Sequence, residues 1–180
     1  GRGIRIVTND KELHEGFETV TSESIAAVGK SAIIVEKFLE KTRHIEYQMC
    51  RDQHGNAVHL FERECSIQRR NQKLIEQTPS PVVDDAKREE IGEIVVRAAE
   101  AVDYTNLGTA EFLRADNGEF YFIEINARLQ VEHPISEMVS GLDFVKLQID
   151  IANGEPLPFK QKDLKMNGYA IECRINAEDT

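Results

Sequence analysis

The sequence predicts an α+β fold, an antiparallel sheet core with flanking helices, on three observations. Residues 44–51 alternate, with Ile45, Tyr47 and Met49 on one side, and the turn Asp52-Gln-His-Gly-Asn56 leads back into a second β-prone run at 57–66. Two further apolar runs flank Asp116-Asn117-Gly118. Asn-Gly between such runs is a strong hairpin signal, because both central residues need φ > 0. Residues 84–103 instead repeat Ile91, Ile94, Val95, Ala98, Ala99 and Val102 at helical spacing.

Taken in order, the chain begins Gly1-Arg2-Gly3 and turns β-like at Ile4-Arg5-Ile6-Val7. By itself that glycine pair suits a frayed terminus as well as a loop with a task. Asn9 or Asp10 caps a helix running to about Val28, with Leu13, Phe17, Val20, Ile25 and Val28 broadly on one face and Gly29 as its stop. Residues 31–39 have the pattern of a buried strand. Gln68, Arg69, Arg70, Asn71, Gln72 and Lys73 are consecutive donors inside a stretch, 65–76, read as a strand. A solvated edge fits that stretch as well as an anion site does. Pro79-Ser80-Pro81 ends it. After the second hairpin, a short helix at 135–140 stops at Gly141, and Asp143 caps another from Phe144 to about Asn153. Residues 155–168 form a polar connector, and 168–175 return as a strand.

The net charge of -10, from 22 basic and 32 acidic residues, argues against nucleic acid as a partner. No apolar run approaches the roughly 18 residues of a membrane span. Cys50, Cys65 and Cys173 lack C-x-x-C spacing and read as reduced thiols in a cytosol-like compartment. At 180 residues the chain holds one domain or one and a fraction, and it reads as excised from something longer. The second hairpin carries chemistry. With Asn117-Gly118 as a two-residue loop, Asp116 faces Glu119, Leu113 faces Phe122 and Glu111 faces Glu124. Facing Cβ atoms lie roughly 5 Å apart, so two carboxylates there share a proton or hold a cation. Glu124, Asn126 and Arg128 follow at period two on the same face. A solvent-facing edge is the commoner fate of one glutamate, but these two sit inside Phe/Leu/Ile-rich runs. That favours a hard cation such as Mg²⁺.

Four motifs in this order resemble the biotin carboxylase family of the ATP-grasp superfamily. They are Glu36-Lys-Phe-Leu39 with His44; Cys65-Ser-Ile-Gln-Arg-Arg-Asn-Gln-Lys73; Phe122-Ile-Glu-Ile-Asn-Ala-Arg-Leu-Gln-Val-Glu-His-Pro134; and Glu172-Cys-Arg-Ile-Asn-Ala-Glu-Asp179. The resemblance implies an ATP-grasp fold, present as a partial domain. Residues 1–38 would be the C-terminal part of the lid subdomain, and 39–180 the core subdomain running into a truncated C-terminal domain. It implies an ATP-dependent carbon–nitrogen ligase that carboxylates carrier-bound biotin with bicarbonate through carboxyphosphate, using Mg²⁺ or Mn²⁺. The isolated piece is expected to be inactive.

By the same resemblance, Gly1, Glu36, Lys37, Leu39, His44, Asn71, Glu111 and Glu124 bind ATP, and Glu111, Glu124 and Asn126 hold the metal. Lys73, Arg128, Gln130, Val131, Glu132 and Arg174 surround bicarbonate. Among these, Glu132 is the general base, Arg174 stabilises the biotin enolate, and Lys73 and Arg128 assist. Asn71 departs from the family's usual His. The implied partners are a biotin carboxyl carrier and a carboxyltransferase, with a homo-oligomeric parent and neither nucleic acid nor membrane. The implied compartment is the cytoplasm, or the mitochondrial matrix in a eukaryote. Two rival readings are a carbamoyl phosphate synthetase-like ligase, against which Arg174 in its Glu-Cys-Arg context argues, and a non-catalytic nucleotide- or partner-binding module.

Overall fold

A computed structural model describes residues 4–30 and 32–177. The chain divides into two compact units, Gly1–Glu40 and Lys41–Thr180. In the first, α1 (Asp10–Val28) starts at Asn9, whose side chain accepts from the Glu12 amide at 3.0 Å, and stops at Gly29 in the left-handed region, as predicted. Its apolar stripe is not covered among the described residues: no α1 residue is buried, and Phe17, Ile25 and Val28 are more than half exposed. Residues 32–39 correct the sequence reading. They join no ladder, and Ile34, Val35 and Phe38 are exposed. Apolar composition alone does not make a strand; a partner must take its backbone hydrogen bonds.

The second unit is one antiparallel sheet. Its strands are β1 (Arg43–Arg51), β2 (Ala57–Arg69), β3 (Gln72–Thr78), β4 (Asn106–Arg114), β5 (Phe120–Asn126) and β6 (Ala170–Cys173), in the order β5-β4-β1-β2-β3-β6. Three helices flank it: α2 (Asp85–Ala101), α3 (His133–Ser140) and α4 (Phe144–Ala152). Alternation along each strand sorts the residues onto two faces. Ile45, Tyr47, Met49, Ala110 and Phe112 pack under α2 against Val83, Ile91, Val95 and Ala99. On the opposite face, Cys50, Val58, Leu60 and Leu107 pack against Phe144, Leu147 and Ile151 of α4. Beside them on that face lie Glu46, Gln48, Arg63, Thr109 and Glu111, polar yet buried.

Two turns differ from the sequence reading. The donor-rich stretch 68–73 is not one strand. Arg69 pairs with Gln72, and between them Arg70 and Asn71 both take positive φ (54° and 63°), which makes a tight hairpin. Asn is among the few side chains that enter this region readily. The β4–β5 loop has three residues, since the Ala115 amide donates to the Glu119 carbonyl and only Gly118 of the loop has positive φ. Leu113 therefore faces Tyr121, not Phe122. A bulge at Ile123 then shifts the register by one, so that Glu111 still faces Glu124.

Among the described residues, no helix is long and apolar enough to cross a membrane. Gly92 of α2 lies directly on the buried His59 ring, where an added Cβ would come within 2.5 Å of ring atoms. Gly92→Ala should therefore cost about 1–3 kcal/mol in chemical denaturation through overpacking. His59→Ala in the same chain should recover part of the loss. Equal stability of Gly92→Ala and wild type would contradict this packing.

Candidate active site

The strand registers place one charged residue per strand in a row. Arg63 of β2 pairs with Glu46 of β1, Glu46 with Glu111 of β4, and Glu111 with Glu124 of β5. Three carboxylates side by side repel unless cations or donors intervene. Lys73, the second residue after the β2–β3 turn, supplies the central cation. Its ammonium reaches Glu111 at 3.0 Å and Glu132 at 2.7 Å, and also bonds Glu46. Glu132 immediately precedes α3 and is buried. Arg174 follows β6, where its amide donates to the Leu74 carbonyl at 2.9 Å. Its guanidinium spans Glu132 (2.8 Å) and Glu76 (2.9 Å).

Glu111 is contacted on both of its oxygens. One oxygen accepts from Lys73, from Asn126 Nδ2 at 3.0 Å and from Gln130 Nε2 at 2.7 Å, while His44 Nε2 lies 2.8 Å from the other. Burial disfavours its charge, but the His44 ring and the Lys73 ammonium together outweigh burial and hold the carboxyl at about 2. Burial likewise opposes ionisation of Glu132, and Lys73 again reverses it, leaving the carboxyl below its ordinary value. Lys73 is held above its ordinary value; burial works against the ammonium, and Glu46 with its neighbours more than restores it. At Glu76 burial wins over Arg174, and its carboxyl titrates high.

The predicted residues separate into groups. Lys73, His44, Glu111, Asn126, Gln130, Glu132 and Arg174 converge on this cluster. Glu124 joins it through Asn126, whose amide bridges the two glutamates (3.0 and 3.2 Å). The exposed Arg128 lies at its edge, with its guanidinium 3.2 Å from Asn126 Oδ1. Val131 is exposed beside Glu132. Asn71 is exposed at the tip of the β2–β3 turn. Glu36, Lys37 and Leu39 belong to the first unit, and Gly1 lies outside the described residues. The sequence reading missed Glu46, Arg63 and Glu76, all buried here. Glu46 and Gln48 alternate with Ile45, Tyr47 and Met49, a pattern that resembles a solvent face; only the cross-strand register shows their surroundings. Asn126 turns its amide nitrogen to Glu111 and Glu124 and its oxygen to Arg128, so the three side chains offer a hard divalent cation an all-oxygen set only with that amide turned over. A separate cleft beside α2, lined by His59, Phe61, Glu89 and Gln161 among others, contains none of these residues.

Residues 1–160 match the family described as the carbamoyl-phosphate synthase L chain, ATP binding domain. The chain belongs to this family. Among its relatives, this ATP-binding domain is 51% identical to the 2-oxoglutarate carboxylase small subunit of Hydrogenobacter thermophilus over 99% of its own length and 38% of the relative's. It is also 51% identical to a biotin carboxylase of a Nostoc species, over 99% of its length and 40% of that protein's. The domain thus spans about two fifths of the length of these relatives. The biotin carboxylase domain of the H. thermophilus enzyme, solved as a dimer with MgADP, ADP and bicarbonate, superposes with a TM-score of 0.94 at 50% identity, covering 99% of this chain and 39% of that one. The expected α+β, ATP-grasp architecture and the biotin carboxylase resemblance are both borne out.

The depressed Glu111 carboxyl sets a pH dependence. Its ionised form adds stability above its ordinary value of 4.5, and that contribution is lost as pH falls toward about 2. The loss should be on the order of 3 kcal/mol. Acid titration of the denaturation midpoint should show this limb in wild type and a shallower one in Glu111→Gln. Identical acid limbs would contradict the assignment.

Proposed function

We propose that this domain forms the ATP- and bicarbonate-handling face of a biotin carboxylase, which carboxylates carrier-bound biotin at the expense of ATP. The observation that carries this reading is Glu132, held between Lys73 and Arg174 at 2.7 and 2.8 Å. A carboxylate so paired is ionised but weakly basic. Bicarbonate is an anion that competes for the same two cations. When Lys73 and Arg174 turn to it, Glu132 loses their stabilisation and becomes a stronger base next to the bound acid.

Glu132 then takes the bicarbonate proton as the bicarbonate oxygen attacks the γ-phosphorus and ADP leaves. The product, carboxyphosphate, breaks down to CO₂ and phosphate; the phosphate released takes the N–H proton of the biotin ureido group, and that nitrogen attacks the CO₂. Arg174 places positive charge where the ureido oxygen of biotin becomes negative. Arg128, a planar donor fork at the cluster edge, orients the anion. Mg²⁺ or Mn²⁺, held by Glu111, Glu124 and Asn126, would neutralise charge on the transferring phosphoryl group.

We assign nucleotide contacts to His44 and Asn71 of the second unit and adenine contacts to Glu36, Lys37 and Leu39 of the first, and bicarbonate contacts to Gln130 and Val131. Residues 1–38 then form part of the lid, and the sheet from residue 39 onward the core. The bound MgADP and bicarbonate of the H. thermophilus neighbour support this reading. A biotin carrier and a carboxyltransferase follow as partners, and a cytoplasmic or mitochondrial-matrix location as its setting.

The test is calorimetric titration of a full-length carboxylase carrying this segment with ATP, with and without Mg²⁺. Binding should tighten with Mg²⁺. Glu111→Ala/Glu124→Ala should abolish that gain, a loss of about tenfold or more in affinity. A folded double variant that keeps the full Mg²⁺ dependence would overturn the metal assignment.

A further inference from the structure

Arg63 is fully buried and is the largest such side chain among the described residues. All five of its N–H groups are used. Nε donates to Glu46 Oε1 at 2.6 Å; Nη1 donates to Gln48 Oε1 at 2.9 Å and Ser136 Oγ at 3.0 Å; Nη2 donates to Gln130 Oε1 at 3.1 Å and Thr109 Oγ1 at 3.4 Å. These partners come from β1, β4, α3 and the segment before α3. None of these five partners is Glu132 or one of the residues proposed to hold the metal.

Guanidinium has donors and no acceptor, so whatever faces it must present oxygen. That rule gives each neighbour a direction. Gln130 turns its Oε1 to Arg63 and is left with Nε2 pointing at Glu111, 2.7 Å away. With the amide reversed, two oxygens would face each other at Glu111. Glu46 gives Oε1 to Arg63 and keeps Oε2 for Lys73. Neutralised on one side, Glu46 does not claim the whole of the Lys73 charge, and Lys73 remains shared with Glu111 and Glu132.

We propose that Arg63 is a positioning residue for the carboxylation reaction: it sets the direction in which Gln130 and Lys73 donate, and so arranges the array that receives bicarbonate without touching any substrate. This inference rests on the biotin carboxylase reading. Lysine in its place keeps the charge but not the five-donor fork.

Steady-state kinetics of the full-length carboxylase carrying this segment test it, with Arg63→Lys, Gln130→Ala, their double variant and Ser136→Ala. Arg63→Lys should raise KM for bicarbonate about tenfold and lower kcat, while KM for ATP stays within about threefold. Adding Gln130→Ala to Arg63→Lys should cost little more, because both remove the same directed donor. Ser136→Ala, which removes one anchor of the fork, should shift KM for bicarbonate the same way by about two- to fivefold, and it decides the matter if Arg63→Lys does not fold. Losses that multiply in the double variant, or that fall equally on ATP and bicarbonate, would overturn the proposal and leave Arg63 a packing residue. A wild-type protein without biotin-dependent ATP hydrolysis would overturn the parent reading, and this inference with it.

Discussion

The Lys73 ammonium, set among Glu46, Glu111 and Glu132, is the interaction on which the second unit depends. Burying charge costs several kcal/mol per ion unless each ion is paired and hydrogen-bonded. Here each partner is delivered by a different part of the chain: Glu46 by β1, Glu111 by β4, Glu132 by the segment before α3, and Lys73 by the turn into β3. The cluster closes only when all four are in register. A buried ionic cluster of this kind is weak evidence for net stability. It does bind the register of the sheet to the geometry of the site, because removing any one member strands a buried charge.

The sheet divides its labour by face. Under α2, Ile45, Tyr47, Met49, Val95 and Phe112 form an apolar layer that stabilises the fold through surface removed from water. On the other face, the apolar layer under α4 gives way to the row Arg63, Glu46, Glu111 and Glu124. That half trades packing for charges held ready, which suits a reaction between anions. On the proposed reading, the cations that pair with Glu132 here are those an incoming bicarbonate would recruit. Ground-state pairing would then become substrate binding, with the base strengthened only when the acid is present.

Much of this was legible in the sequence, for reasons that differ by element. Asn9, Gly29 and Asp143 located helix ends because capping is a local hydrogen-bond problem. The facing of Glu111 and Glu124 was read from an assumed two-residue loop, and it held because the bulge at Ile123 compensates for the three-residue loop that forms. Residues 32–39 misled because an apolar run does not reveal whether a partner strand exists. The turn at Arg70 and Asn71 was hidden inside a run of donors, and Asn71 itself was its signal. Glu46 and Arg63 escaped notice because alternation cannot tell a solvent face from a buried polar one. Glu132 and Arg174 came from motif resemblance alone, and the register of β3 with β6 supplies the physical reason they meet.

The most direct test of the account is bicarbonate-dependent ADP formation by the full-length protein that contains this segment, carrying Glu132→Gln, measured beside the affinity for MgATP. Glutamine keeps the size of the side chain but takes no proton, and it can accept from only one of Lys73 and Arg174. The account predicts a rate lower by about 100-fold or more, the scale of general-base catalysis, with MgATP affinity nearly unchanged. A rate within a few fold of wild type would contradict it, and Glu132 would then serve only to hold Lys73 and Arg174 in place.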